Sequence, residues 1–502
     1  MTKPEETNNV NTALDKYSSE INYKVNEVAI ILAAGHGKRI KSHRSKMLHK
    51  IWEVPTVERV YDACREGIKN INVIVVVGIK AIDVMEVLGK REFTAYAYQE
   101  FQNGTGHALQ IALGKINDKN FEGNIYVLPG DMGLIDLETM SRFRKDFINS
   151  GSDMMVLTGI YEGDPSENHY GRIIRVKTED EKGKSSGDDN GRVIEIMEYK
   201  DILALPADRL YKVNFNGRVY SFTKEELIGN NEFNSGVYAF NYKILLNLVN
   251  HLSSNNAQGE IYITDLIFLF NKNKYTVMAV SPLEQHVVMG FNNKSVLKEM
   301  ETVARKHNYN RLKDIIEIDD PDDFFIHESV IDQIIELDKL NVPLDITIGK
   351  GVHIGKGVRL NYNNEFKQNS FIDGDIQLGK NVVIWKDVDI SAFSGQKMKL
   401  GNNVQILWGN TIKGNIEIGN GTRIESSVRL TGSNEFPLRI GSDVLIKGTT
   451  YIFGSFIEDG VHIEHSVIIK KKVERLIKTN GGIKPIRFYI PEPEGIDAIE
   501  DL

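Results

Sequence analysis

From Ile346 onward, short apolar pairs recur with a glycine at a spacing close to six residues. The run Ile348-Gly349-Lys350-Gly351-Val352-His353-Ile354-Gly355-Lys356-Gly357-Val358 sets the pattern, and later copies open at Leu378, Leu400, Ile418 and Ile440, each followed by glycine. The step from Leu400 to Ile418 is 18 residues, three hexads, which is one coil of a left-handed parallel β-helix. A fixed period leaves a chain little choice, because each repeat can bury its apolar face only on its neighbours and must therefore stack. Aliphatic side chains would fill the interior, and Gly or Asn would turn the corners. Other steps are 22 or 24 residues, which predicts extra loops at some corners. The β-helix is expected over 346–475. Such a stack is structural in itself, and its flat faces predict a homotrimer, symmetric oligomers being the norm.

The texture before it is different. Val28-Ala29-Ile30-Ile31-Leu32, Ile71 to Val77 and Ile125-Tyr126-Val127-Leu128 are continuous apolar runs, as parallel strands buried on both faces should be. Amphipathic segments such as Pro55–Glu66 and Gly106–Ala112 fall between them. Strand–helix alternation predicts an α/β, Rossmann-like domain. A chain of 502 residues exceeds the roughly 250–300 at which single cores stop growing. The expected division is a flexible tail over 1–24, the α/β domain over 25–305, a helical connector over 306–345, the β-helix, and an acidic tail over 476–502. Thr178–Asn190 has no apolar residue and reads as a surface loop, and 201–230 reads as an insertion of mixed character.

A net charge of −8 argues against nucleic acid as the main partner, since phosphate-backbone binders carry a basic face. One cysteine, Cys64, excludes an intrachain disulfide, fits a reducing compartment and reads as a buried thiol. No apolar stretch reaches the ~20 residues of a membrane span, and residues 1–24 lack the apolar core of a signal peptide. A cytoplasmic protein is expected.

Chemistry enters with Leu32-Ala33-Ala34-Gly35-His36-Gly37-Lys38-Arg39, directly after an apolar strand and before a basic segment ending at Lys46. Glycines there let main-chain N–H groups approach a phosphate chain, and Arg39 and Lys46 add mobile positive charge. The loop is neither G-x-G-x-x-G nor G-x-x-x-x-G-K-[ST], so the dinucleotide and P-loop readings both lose. Asp131 closes Leu128-Pro129-Gly130-Asp131 at a strand end, where α/β sheets bind ligands, and a carboxylate there suits a hard cation such as Mg²⁺.

L-A-A-G-x-G-x-R followed by S-K-x-L-H resembles the opening signature of the nucleoside-diphosphate-sugar pyrophosphorylases, and within them the bacterial N-acetylglucosamine-1-phosphate uridyltransferases, which form the N-terminal half of a bifunctional enzyme. Ser45 stands where the family usually has Pro, and Lys38 where it often has Thr. The resemblance implies a UTP- and Mg²⁺-dependent uridyltransferase acting on a sugar-1-phosphate, with Arg39 and Lys46 catalytic and Leu32, Ala33, Ala34 and Gly35 along the nucleotide. Gln99 with Gly104 and Thr105, in Gln99-Glu100-Phe101-Gln102-Asn103-Gly104-Thr105-Gly106-His107, would read uracil, an amide offering both a donor and an acceptor to the base. His107 reads as a packing residue at the helix start. Asn292 would join Asp131 on the metal. Gly171, Glu198, Lys200 and Asn234 would face the sugar, and Asn256 to Asp265 nearly repeats the family run N-A-Q-G-E-Y-Y-I-T-D.

The bifunctional relatives place an acetyltransferase in the β-helix, with an N-Y-D-G signature and a catalytic histidine. Asn361-Tyr362-Asn363-Asn364 only echoes that signature, and His353, His462 and His465 read as outward residues of the coils, so no acetyl-CoA activity is expected. Two other readings remain: a uridyltransferase for another hexose-1-phosphate such as glucose-1-phosphate, and a regulatory subunit that binds nucleotide sugars without turnover. Retention of Arg39, Lys46 and Asp131 speaks against the latter.

Overall fold

The computed structural model describes residues 3–35, 37, 40–117, 121–254, 256, 259–479 and 481–491, with side chains from Asn8 onward. The chain divides into two compact units, Met1–Glu301 and Thr302–Leu502.

The first unit is built on one sheet. Its main strands are β1 (Glu27–Ala33), β2 (Asn72–Val77), β3 (Thr94–Tyr98), β4 (Asn124–Pro129), β5 (Met154–Ile160), β6 (Glu232–Asn241) and β7 (Val277–Val280). They lie in the order β7-β5-β6-β4-β1-β2-β3. β1 is parallel to β2 and β4, β2 to β3, and β7 to β5, while β6 runs antiparallel to both its neighbours. The pleat sends alternate residues of each run to opposite faces. Ala29, Ile31, Val73, Val75 and Leu128 join one core with the helices α2 (Thr56–Gly67), α3 (Ala81–Leu88) and α5 (Leu137–Ser150). Val28, Ile30, Ile74, Val76 and Val127 join the other with α4 (Thr105–Leu113) and the helix Asp265–Lys272. Burying one such side chain contributes about 1.5–3 kcal/mol, which is why these runs are almost wholly apolar; the buried exception, Asn72, is bonded to the main chain of Asn22. Cys64 is fully buried on α2 and its thiol is pushed up by that burial. The insertion adds to a third core, in which Val213, Phe215, Tyr220 and Phe222 of the hairpin Tyr211–Phe215/Arg218–Phe222 join Ile202 and Leu227 with Ile174, Val176, Ile194 and Met197. Between Arg172–Arg175 and Val193–Met197, the segment Thr178–Asn190 is ordered by a bridge from Glu179 to Ser185 and a turn at Gly187–Asp189.

Residues 1–24 depart from the expected tail. The helix α1 (Lys3–Tyr17) packs on α3 and β3, and Val10 and Ala13 are buried in the first core. Ser19 then follows the sheet edge, its N–H donating to Thr94 O at 2.7 Å and its hydroxyl accepting from Thr94 N at 2.8 Å. The polar composition hides this, because two apolar residues three apart suffice to seat a helix face.

The second unit is a stack of three parallel sheets. One interior row runs Ile348, Phe366, Ile384, Ile406, Ile424 and Ile446 in register. Corners fall at residues with positive φ, among them Gly351, Asn363, Asn381, Asn403 and Gly421. Asn is the side chain that best tolerates that region after Gly, and Asn363, Asn381 and Asn403 also bond one another in a ladder at 3.0 and 2.8 Å. The boundaries differ from those expected. Glu317–Ile318 and Phe324–Ile326 already pair with Thr347–Ile348 and Val352–Ile354, so the stack begins inside the expected connector, and Asp319–Asp323 is one of its corners. Helix Glu328–Asp338 is inserted after that coil. At the other end Ile486 and Arg487 pair with Ile463 and Glu464, so the start of the expected acidic tail adds a strand to the stack; 492–502 lie outside the described residues.

Candidate active site

The parallel strands of the first unit all point their carboxyl ends to one edge, and the predicted residues gather there. Leu32 and Ala33 end β1, and Ala34 follows, buried against Gly78, where a Cβ would meet Ala34 O at 2.7 Å. Gly35 is exposed. Gly130 N–H donates to Leu32 O at 3.0 Å, so the end of β4 is fastened to this loop. Arg39, with His36 and Lys38, lies outside the described residues.

Gln99, at the end of β3, is buried; its amide nitrogen donates to Gly104 O at 3.0 Å and lies 3.2 Å from His107 Nδ1. Gly104 has φ +107, and a Cβ there would lie 2.4 Å from Ile261 O. Thr105 opens α4 and its hydroxyl accepts from Ile263 N at 3.2 Å. The loop 99–105 and the segment 261–263 are therefore one unit held by main-chain bonds. His107 belongs to that hold. Gly104→Ala should lower stability by about 1–3 kcal/mol through the forbidden φ and the clash, and raise the KM for UTP more than that for the sugar phosphate. Steady-state kinetics with urea unfolding checks both.

Asp131 follows β4, and Lys46 stands in the short helix Lys46–Leu48. The two side chains form an ion pair, and Lys46 Nζ also donates to Asn292 Oδ1 at 3.0 Å. Phe291 brings its ring to 5.3 Å from the same ammonium. The three predicted residues thus meet at one point. Gly290 borders this point, its Cα side facing the Asp131 carboxyl at ordinary contact distance.

Tyr170 connects this point to the sugar residues. Its ring stacks on Phe233 at 4.7 Å, its hydroxyl donates to Gly290 O at 2.9 Å, and burial with the nearby Asp131 charge pushes the phenol up to about 12. Gly171 O accepts from Asn234 N at 2.8 Å, and a Cβ on Gly171 would lie 3.3 Å from Glu198 Oε1. Asn234 sits at an irregularity in β6 between Asn234 and Val237, and its amide donates to the Tyr238 hydroxyl at 2.7 Å. Gly171, Glu198 and Asn234 are thus neighbours. Lys200 is exposed on the helix Tyr199–Ala204, close enough to favour the charged form of Glu198.

Part of the Glu198 side chain remains open while protein surrounds the carboxyl. Loss of water, then the charges of Asp201, Asp265 and Glu260, push it up to about 7. Sequence reasoning did not foresee this acidic surround, because it forms only when the stretch with Glu260 and Asp265 is folded against that of Glu198 and Asp201. Since the carboxylate accepts from hydroxyls best when ionised, kcat/KM for the sugar phosphate should rise between pH 6 and 8 with an inflection near 7. Stability has the opposite sign. A carboxyl raised above its ordinary 4.5 contributes stability that is complete below 4.5 and lost as pH rises through about 7. Glu198→Gln should therefore be less active throughout, without the inflection, and gain in relative melting temperature from pH 5 to 8. An unchanged pH profile in Glu198→Gln would remove Glu198 from this role.

Arg172 is also unforeseen as a working residue. It is fully buried and donates to the carbonyls of Tyr170, Pro165 and Asn168, fixing the loop that carries Tyr170 and Gly171. The signal lay in the Y-G-R run itself.

The MobA-like NTP transferase domain family matches residues 29–192. The bifunctional protein GlmU of Acetivibrio thermocellus is 32% identical over 470 residues, covering 91% of this chain and 87% of that one. That of Carboxydothermus hydrogenoformans is 31% identical over 461 residues, 90% and 89% of the two chains. A solved UDP-glucose pyrophosphorylase complexed with UDP-glucose matches at 14% identity and a TM-score of 0.38, over 56% of this chain and 99% of that one, too distant to bear on function. The first unit is a nucleotidyltransferase. The chain belongs to the GlmU family.

Proposed function

We infer that this enzyme is a uridyltransferase that forms UDP-N-acetylglucosamine and pyrophosphate from UTP and N-acetylglucosamine-1-phosphate. The observation that carries the reading is the meeting of Lys46, Asp131 and Asn292 at the carboxyl ends of the strands, in a member of this family. The attacking phosphate oxygen is already an anion, so no side chain has to remove a proton. The remaining work is positioning and neutralising charge. Gln99, Gly104 and Thr105 would hold uracil, the 32–35 loop would run along the triphosphate with Arg39 beside it, and Gly171, Glu198, Lys200 and Asn234 would orient the sugar. Lys46 would screen the two phosphate-bearing substrates from each other.

The donor chemistry fits Mg²⁺. A carboxylate oxygen of Asp131 and the amide oxygen of Asn292 converge on one cation, the Lys46 ammonium. Among the described residues no group of three or more His, Cys, Asp or Glu could hold a metal, so the protein would give two hard oxygens and leave the rest to phosphate and water, as Mg²⁺ prefers. Bound there, it would neutralise phosphate charge.

Among the described residues no helix is long and apolar enough to cross a membrane. A cytoplasmic homotrimer assembled through the β-helix is the accompanying proposal. The second activity of the bifunctional relatives is not assigned to this chain. His353 is stacked between Phe325 and Phe371 at 4.5 Å from each, His462 lies 2.8 Å from Glu464, His465 stacks on Phe488, and Asn363 is spent in the corner ladder.

The test is pyrophosphate release from UTP and Mg²⁺ with N-acetylglucosamine-1-phosphate, beside glucose-1-phosphate and a no-sugar control. Release with the acetylated sugar alone supports the reading; release with glucose-1-phosphate transfers it to another hexose; none with any sugar, in protein that still binds UTP, rejects it. Free thiol from acetyl-CoA and glucosamine-1-phosphate would restore the second activity.

A further inference from the structure

The Lys46 side chain does more than approach the cation site; it fills it. Its ammonium is bonded to both side chains that would take a divalent cation, Asp131 and Asn292. Its stem is equally fixed. Lys46 is buried, and Gly37, at φ +61, lies against it so closely that a Cβ there would meet Lys46 Cβ at 2.8 Å. The Phe291 ring adds a favourable face for the positive charge. An ammonium and a divalent cation cannot both sit on this pair of oxygens, because like charges a few ångströms apart repel strongly in a largely buried site.

We propose that Lys46 is the resident counter-ion of the Asp131–Asn292 pair. It holds the pair in the substrate-free protein and must leave it before a divalent cation can bind. Leaving is favourable only where another anion receives the ammonium, and the anion this site is built to admit is a triphosphate. Divalent cation alone should therefore bind weakly, and cation together with UTP strongly. Linkage makes the coupling reciprocal, so the factor by which UTP tightens the metal is the factor by which the metal tightens UTP. Lys46 thus has a role before the reaction as well as during it, and the same exchange carries its charge from the metal position to the phosphates. The proposal rests on the reading of Asp131 and Asn292 as the cation site.

The experiment is titration of the full-length protein with Mn²⁺ alone, free Mn²⁺ being followed by electron paramagnetic resonance, and then with Mn²⁺ in the presence of UTP. Lys46→Met should bind Mn²⁺ alone about tenfold more tightly than the unaltered protein, one counter-charge having been removed, and UTP should tighten Mn²⁺ less in the variant. Equal or weaker binding of Mn²⁺ alone by Lys46→Met overturns the proposal. Lys46→Met combined with Asp131→Asn separates it from the underlying reading. If the double variant binds as tightly as Lys46→Met, Asp131 is no ligand and the cation site itself falls. If Asp131→Asn abolishes binding while Lys46→Met changes nothing, only the counter-ion role falls. A second measurement needs no variant. Reductive methylation of Lys46, read by peptide mass spectrometry, should be slow in the metal-free protein and faster at saturating Mg²⁺ without nucleotide; an unchanged rate at saturation overturns the proposal as well.

Discussion

Asp131→Asn should lower kcat by about 10²–10³, the usual loss when one electrostatic stabiliser is removed from such a site, and raise the Mg²⁺ concentration needed for half-maximal rate. Asparagine has the same shape and still offers an oxygen, so the substitution isolates the charge. It deprives a cation of its one carboxylate in the Asp131–Asn292 pair and deprives the Lys46 ammonium of its ion-pair partner. Both side chains are largely buried, 14% and 11% exposed, so removing the charge also costs stability, reduced because asparagine still offers the ammonium an oxygen. A lowered melting temperature is expected, and the loss of kcat should persist at temperatures where the variant is fully folded. Because Lys46 and Asp131 act on the same phosphate charge, the double variant with Lys46→Met should lose less than the product of the two single losses. Full kcat with an ordinary Mg²⁺ requirement in Asp131→Asn would place the cation elsewhere.

How much of this was legible depends on how each element is buried. β1, β2 and β4 read directly from the chain, because they are buried on both faces and, beyond the polar residue that opens each, are apolar throughout. Among the described residues no strand of the β-helix exceeds four residues, so none is visible singly, and the period alone declares it. Where no glycine follows the apolar residue, as at Ile318 and Ile486, the coil is present and its signal is not. The helix Lys3–Tyr17 is the opposite failure: its composition is polar, and among its described side chains Val10, Ala13 and the partly buried Leu14 and Tyr17 bind it to the core.

The site was legible as a set of residues but not as an arrangement. Lys46 and Asn292 lie 246 positions apart, and their contact with Asp131 depends on the strand order, which no local pattern encodes. The same is true of Glu198, whose elevated pKa comes first from burial and then from Asp201 on its own stretch and from Glu260 and Asp265 on one distant stretch. Motifs name the groups; the electrostatics follow only once the fold has set the distances.

Arg172 shows what that second level of information adds. Arg172→Leu should cost about 2–5 kcal/mol, a buried group left without its hydrogen bond costing about 1–3 kcal/mol, because the carbonyls of Pro165, Asn168 and Tyr170 lose the donor that faces them. Burial itself already works against the guanidinium charge here, and Tyr199 offsets part of that, its ring lying 5.4 Å from the guanidinium. Arg172→Lys should rescue little, since a single ammonium cannot reproduce a planar fork that reaches three carbonyls. The kinetic consequence follows from the loop. With its carbonyls released, Tyr170 loses its fixed stack on Phe233 and its bond to Gly290, and Gly171 loses its register with Asn234. The KM for the sugar phosphate should then rise by about tenfold or more, while the KM for UTP changes little, because Gln99, Gly104 and Thr105 are held by the separate 261–263 segment. The pairing of the two constants is the discriminating result. If both rise together, Arg172 only supports the fold as a whole; if the sugar constant alone rises, the buried fork is what shapes the sugar side of the site.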